Sequence, residues 1–293
     1  MPFTFFSHQA PVLPLKCWRP RWFCGTALAI GSMAPDLEYF LRGEHSRTVG
    51  HTLSGQVTFC LPVALALVWI ILRVVAGPLG RHLPDLPPFH LRDYQVLARK
   101  RLDLRSWLTA ALSALLGSLS HIGWDGFTHH GGWAVRHLPA LQARFALGEL
   151  RAPVWLLLQH AGTLFGGLFT LWLLSRIGRE RLLLRWSGAQ ESSVQGPCTP
   201  RFWPGVGTGA AAAVAAALLL TAITQGLPSP WYQPLRWGPV AFKAVTFTFA
   251  ALCIACLRTA QPETGRAEPT SATARAGSRA STPPLSGSDT GSG

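Results

Sequence analysis

The stretch Ser120-His121-Ile122-Gly123-Trp124-Asp125-Gly126-Phe127-Thr128-His129, followed by His130-Gly131-Gly132, closes a long apolar run that begins near Trp107. His121, Asp125 and His129 are spaced four apart, which sets them on one face of a helix. Imidazole and carboxylate groups at the end of a membrane-length helix are costly unless paired or bound. Neutral imidazole with carboxylate is also the ligand chemistry of zinc and its first-row neighbours. By itself the stretch allows two readings: a metal-binding face, or a polar helix end wetted at the headgroups.

Composition around the stretch sets the class. Only 13% of the 293 residues are Asp, Glu, Lys or Arg, roughly half the usual soluble share. The apolar residues come in blocks near membrane length rather than at amphipathic spacing. Spans are expected near 55–77, 106–130, 153–175, 205–226 and 237–257. Trp107, Trp133, Trp155, Trp203 and Trp237 lie near their ends, as interfacial anchors do. The expected fold is all-α: a polytopic helical membrane protein with about five transmembrane helices. Residues 22–35 are apolar but too short to span easily, and read as a re-entrant or interfacial helix. Pro62 is a candidate kink, and Arg73 and Lys243 lie close enough to span ends to snorkel. Residues 261–293 are rich in Ser, Thr, Pro, Gly and Ala without an apolar period, and read as a disordered tail. Residues 1–260 then form one helical membrane domain, with the motifs in 1–175.

The net charge of +13 does not mark a nucleic-acid binder. Most arginines flank apolar blocks, as orientation requires, and no basic motif or stacking module is visible. The six cysteines lack a disulfide or zinc-finger rhythm. Cys253-Ile-Ala-Cys256 lies inside an apolar span and reads as packing. Pro35-Asp36 stands where a cleavable signal would carry small residues, so no signal peptide is expected.

Topology brings the polar residues together. Three successive crossings put His51, the 121–129 cluster and His160 at one membrane face, joined by His8, Asp36 and Glu38 if residues 22–35 do not cross. Eight of the ten histidines fall on that side, and none follows His160. This clustering favours the metal reading. The loops on the motif side carry nine Lys and Arg, and those opposite carry fifteen. The motif face is therefore expected to be extracytoplasmic.

Phe3-Thr4-Phe5-Phe6-Ser7-His8, Gly31-Ser32-Met33-Ala34-Pro35-Asp36-Leu37-Glu38-Tyr39-Phe40, Gly50-His51-Thr52 and the 120–129 stretch resemble an uncharacterised bacterial membrane family, domain of unknown function four-one-eight-four. That family is similar to the membrane-bound metal-dependent hydrolases and, more distantly, to zinc-dependent phospholipase C. The resemblance covers about residues 1–175 through motifs and implies a bacterial inner-membrane location. It also implies that His8, Asp36, His51, His121 and Asp125 are metal ligands. Two departures stand out. Glu38 replaces the second acid of Pro-Asp-x-Asp, and Arg47-Thr48-Val49-Gly50 stands where His-Arg-Gly is usual, which removes a histidine unless His45 substitutes.

Each candidate has a plainer alternative. Asp36 could be a helix cap or turn residue, His51 a polar helix start, and His8 an interfacial histidine. His129 lies where the helix frays toward Gly131-Gly132. His160, inside a span, needs a partner and reads as a ligand or a partner of one. Glu38 is a candidate base or ligand against a solvated carboxylate; His45, His130 and His137 read as solvated. The leading expectation is a hydrolase holding one or more divalent ions, zinc first and manganese or iron next. Glu38 or a free Asp125 oxygen would take the proton. Lipid bilayer is the expected partner and a phosphoester or lipid headgroup the expected substrate, with no nucleic acid and an open oligomeric state. The alternatives are a non-catalytic membrane protein with a structural polar cluster, and an ion transporter. The last two spans lack polar partners, which weighs against transport.

Overall fold

The structure is a computed structural model and describes residues 5–43, 49–147, 150–194, 199–225 and 237–260. The expected tail at 261–293 and His45 lie outside the described residues. Among the described residues the regular structure is helical apart from one small hairpin. Two short N-terminal helices, α1 (Phe5–Gln9) and α2 (Leu13–Trp18), lead into α3 (Gly25–Gly31) and α4 (Ala34–Arg42). A 3-10 turn at Val49–His51 precedes the long helix α5 (Leu53–His82). After it come α6 (Leu104–Thr128), the short α7 (Trp133–His137) and α8 (Pro139–Gln142), and the strands β1 (Arg144–Leu147) and β2 (Leu150–Pro153). The remaining helices are α9 (Val154–Arg179), α10 (Leu182–Ser187), α11 (Phe202–Gln225) and α12 (Trp237–Ala260).

Among the described residues, four helices are long and apolar enough to cross a membrane: those starting at Leu53, Val154, Phe202 and Trp237. The fifth expected span, α6, is 25 residues long but falls outside that set. The reason lies in its two faces. Leu104, Leu108, Leu112, Leu116 and Leu119 are exposed along one side, while Ala110, Ser113, Ala114, Gly117, Ser118 and His121 are buried along the other. Small and hydroxyl residues let helix backbones approach in lipid and dilute the hydropathy of the helix that carries them. Its C-terminal end meets His51, which precedes α5, so α6 runs back alongside α5 through the protein interior.

Residues 22–35 hold the short α3 and the start of α4, which begins at Ala34 after a break at Ser32-Met33, with Pro35 in its first turn where its missing N–H costs nothing. Neither α3 nor α4 is long enough to span. α3 is a core helix: its Ala27 and Ile30, with Ala34 at the start of α4, pack with Ala64, Val68 and Leu72 of α5 and with Ala110 and Ala114 of α6. Glycines allow this closeness. A Cβ on Gly31 would overlap the Ala114 carbonyl oxygen, and one on Gly117 would sit 2.6 Å from that of Leu28.

α5 contains two π-helical segments, Gln56–Cys60 and Ile71–Val75. Each holds the residue four before a proline, Thr58 for Pro62 and Val74 for Pro78. A proline ring clashes with that carbonyl, and a widened turn relieves the clash. Arg73 and Lys243 do not simply reach for the interface. Arg73 donates to the carbonyls of Ala98 and Lys100, and Lys243 donates to Thr221 Oγ1 on the neighbouring helix.

The segment 131–152, read from sequence as a loop, is a built excursion: α7, α8 and an antiparallel hairpin pairing Phe145 with Ala152 and Ala146 with Arg151. At the other end, loops are tied by Arg181, which holds Asp93 through two bonds of 2.7 and 2.8 Å and reaches Glu191.

Candidate metal centre

Four separate segments each deliver a polar side chain to one place. His8 arrives on α1, which lies on α9: Thr170 donates to the Phe6 carbonyl at 2.7 Å, and Gly166 leaves room for Ser7. Asp36 sits in the first turn of α4, where a carboxylate suits the positive end of the helix. His51 ends the 3-10 turn before α5. His121 and Asp125 come one turn apart from the end of α6.

Their reactive atoms converge. His121 Nε2 is 3.2 Å from Asp125 Oδ2 and 3.7 Å from Asp36 Oδ1. His51 Nε2 is 3.4 Å from Asp36 Oδ1 and 3.6 Å from Asp125 Oδ2. His8 Nε2 is 3.8 Å from Asp125 Oδ1, and its ring stacks on His121 with centroids 4.0 Å apart. Two overlapping groups emerge, His8–His121–Asp125 and Asp36–His51–His121, in each of which the potential ligand atoms lie within 4.8 Å of one another.

His121 is the pivot, only 1% exposed. Its Nδ1 lies 2.7 Å from the Ser32 carbonyl oxygen. A carbonyl can only accept, so Nδ1 carries a proton, and in the neutral ring Nε2 presents a lone pair. That Nε2 is buried without a hydrogen-bond partner, and so is Asp125 Oδ1. Beside buried carboxylate oxygens that nitrogen is satisfied by a proton or by a metal ion. The backbone anchor on the far nitrogen is the arrangement that fixes ring orientation in metal-binding histidines. The donor set therefore fits a divalent ion of the zinc type.

The field inside the cluster is strong. Burial and the adjacent His121 press the His8 imidazole down to about 4. Burial opposes protonation of His51 too, but pairing with Asp125 and Asp36 outweighs it and pushes this group up to about 9. Burial acts to raise Asp36, yet its bond with His51 and the charge of His121 hold it below the usual carboxylate range.

The other expected residues occupy different positions. His129 stands at the edge: its Nδ1 is 3.3 Å from Asp125 Oδ1, and Gln159 of α9 donates to its Nε2 at 3.0 Å. It belongs to neither ligand group. His160 is exposed, with Nδ1 on the Leu156 carbonyl of its own helix. Glu38 is 2% exposed and fully engaged. Its Oε1 accepts from Arg42 at 2.7 Å, and its Oε2 accepts from the Gly50 amide at 2.8 Å. Glu38 thus holds the residue next to His51 against α4. A Cβ at position 50 would meet the Pro35 carbonyl at 2.9 Å, which explains glycine before the histidine.

Sequence reasoning passed over Ser32, Gln56 and Gln159. Gln56 donates to the Gly50 and Thr52 carbonyls, securing the same turn from below. Ser32 lies inside the 31–40 motif, but it acts through its carbonyl, which side-chain chemistry does not reveal.

Fold and site together define a helical membrane protein with a buried His/Asp cluster built from its first 125 residues. The family described as Domain of unknown function (DUF4184) matches residues 1–260, and the chain belongs to that family. No curated protein and no solved structure matches the chain.

Proposed function

We propose that the protein is a membrane-bound metal-dependent hydrolase acting on phosphoesters or lipid headgroups. The observation that carries this reading is the buried, unpartnered Nε2 of His121 aimed among Asp36 and Asp125, with His8 and His51 closing around it. His8, Asp36, His51, His121 and Asp125 would hold the metal, zinc first and manganese or iron next. A divalent ion so held supplies Lewis-acid polarisation of the scissile bond and acidification of water. The chain's own part is positional. Ser32 fixes the His121 ring, Glu38 and Gln56 fix the turn bearing His51, and Gln159 orients His129 beside Asp125. With Glu38 engaged by Arg42 and Gly50, the proton acceptor is an Asp125 oxygen, with His129 alongside. The resemblance to metal-dependent hydrolases and to zinc-dependent phospholipase C supports the substrate class and an inner-membrane location, and the Lys and Arg balance supports an outward-facing motif side.

The test is headgroup or phosphate release from phospholipid and from a soluble aryl phosphate, by detergent-purified protein supplemented with zinc or manganese. Turnover by wild type and its loss in Asp125→Asn support the reading. Metal-loaded wild type that hydrolyses neither substrate class overturns it.

A further inference from the structure

The excursion between α6 and α9 begins just past His129 and is a folded arm. Trp133 packs over Gly126, Gln142 donates to the Val135 carbonyl at 2.8 Å, and Val154 donates to that of Ala143 at 3.0 Å. Ala134, Val135 and Ala152 are buried beneath it. Its outer surface is of another kind. Trp133 (53%), Leu138 (45%) and Phe145 (47%) are exposed. Arg136, Arg144 and Arg151 are exposed as well, and among the described residues none of the three forms an ion pair. Hairpin register sets Arg144 and Arg151 on one face and Phe145 on the other.

β2 runs directly into α9, one of the helices able to cross a membrane. The arm must therefore lie within a few residues of the bilayer surface. We infer that the arm Trp133–Pro153 is a bilayer-docking surface for anionic lipid headgroups, with Trp133, Leu138 and Phe145 seated among the upper acyl chains and the three arginines on headgroup phosphates. An apolar set with unpaired arginines matches that interface on both counts: the rings and leucine lose water, and the guanidinium groups make bidentate contacts to phosphate. A two-stranded hairpin is marginal in water by itself, which fits a surface support. The inference rests on the membrane-crossing helices and not on hydrolysis.

The test is hydrogen exchange on the full chain in nanodiscs of phosphatidylcholine with and without phosphatidylglycerol, for wild type and for Arg136→Gln/Arg144→Gln/Arg151→Gln. Arm amides should exchange more slowly when phosphatidylglycerol is present. The gain should shrink about fivefold per arginine removed, while α9 amides stay equally protected. Equal arm exchange in both lipids overturns the proposal, as does a phosphatidylglycerol effect that survives in the triple variant. Fast exchange throughout α5 and α9 would instead show that the membrane reading itself has failed.

Discussion

His82 and His121 are two buried histidines anchored in the same way. Each donates from Nδ1 to a backbone carbonyl, Pro78 at 2.8 Å for one and Ser32 at 2.7 Å for the other. Each stacks on a ring 4.0 Å away, Phe202 and His8 respectively. They differ at Nε2. In His82 it accepts from the Thr199 amide at 2.8 Å; in His121 it has no hydrogen-bond partner and lies 3.2 Å and 3.7 Å from the carboxylates of Asp125 and Asp36. The first ring is complete within the protein and serves as a clamp between loops. The second holds its far nitrogen open toward two carboxylates. Burial and anchoring thus do not distinguish a structural histidine from a ligand; the fate of the second nitrogen does.

The contrast can be broken at several strengths. Removing the open nitrogen has the largest effect: His121→Ala should abolish stoichiometric metal, read by mass spectrometry. His82→Ala should keep the metal and lower stability by about 1–3 kcal/mol, because it removes a buried ring stacked on Phe202 together with its hydrogen bonds. Packing comes next. Gly31→Val would drive a side chain into the Ala114 backbone and should cost about 1–3 kcal/mol or more in thermal unfolding. Gly123→Ala, with nothing within 4 Å, should be tolerated. Gln159→Leu leaves the ligands in place but frees His129, which backs Asp125, and metal affinity should fall by at most about tenfold in a competition titration with a chelator.

A smaller effect is pH dependence. Without metal, protonated His51 stabilises the fold fully below its ordinary value of 6.5, and that contribution is lost as pH rises through about 9. The metal-free melting temperature should decline across that window. The metal-loaded protein should move the other way, because ligands must shed protons to bind. Smallest of all, His160→Ala should change neither metal content nor turnover.

The long helices were legible because each carries an apolar block of membrane length, and His121 with Asp125 because four-residue spacing puts both on one face. Counting crossings put His51 on the same membrane face as these two, and His8 and Asp36 with it if residues 22–35 do not cross; grouping the five as one ligand set came from the family resemblance. What stayed hidden has physical causes. Adjacent helix positions point about 100° apart, and inside an apolar helix nothing says which one faces inward. Gln159 turns toward His129 while His160 turns out. The engagement of Glu38 depends on Arg42 one turn on and on a Gly50 amide that only the folded turn supplies. The α6 interior face mixes serine, alanine and glycine, which lowers its hydropathy without removing it from the bundle. The hairpin at 144–153 is too short for an alternation to register.

The measurement that bears most directly on the central claim is metal content of detergent-purified wild type, His121→Ala, Asp125→Ala and His82→Ala side by side. Stoichiometric zinc, manganese or iron in wild type and His82→Ala, lost in the other two, is the predicted result. A folded wild type that stays metal-free after supplementation would contradict it and leave the cluster as polar packing.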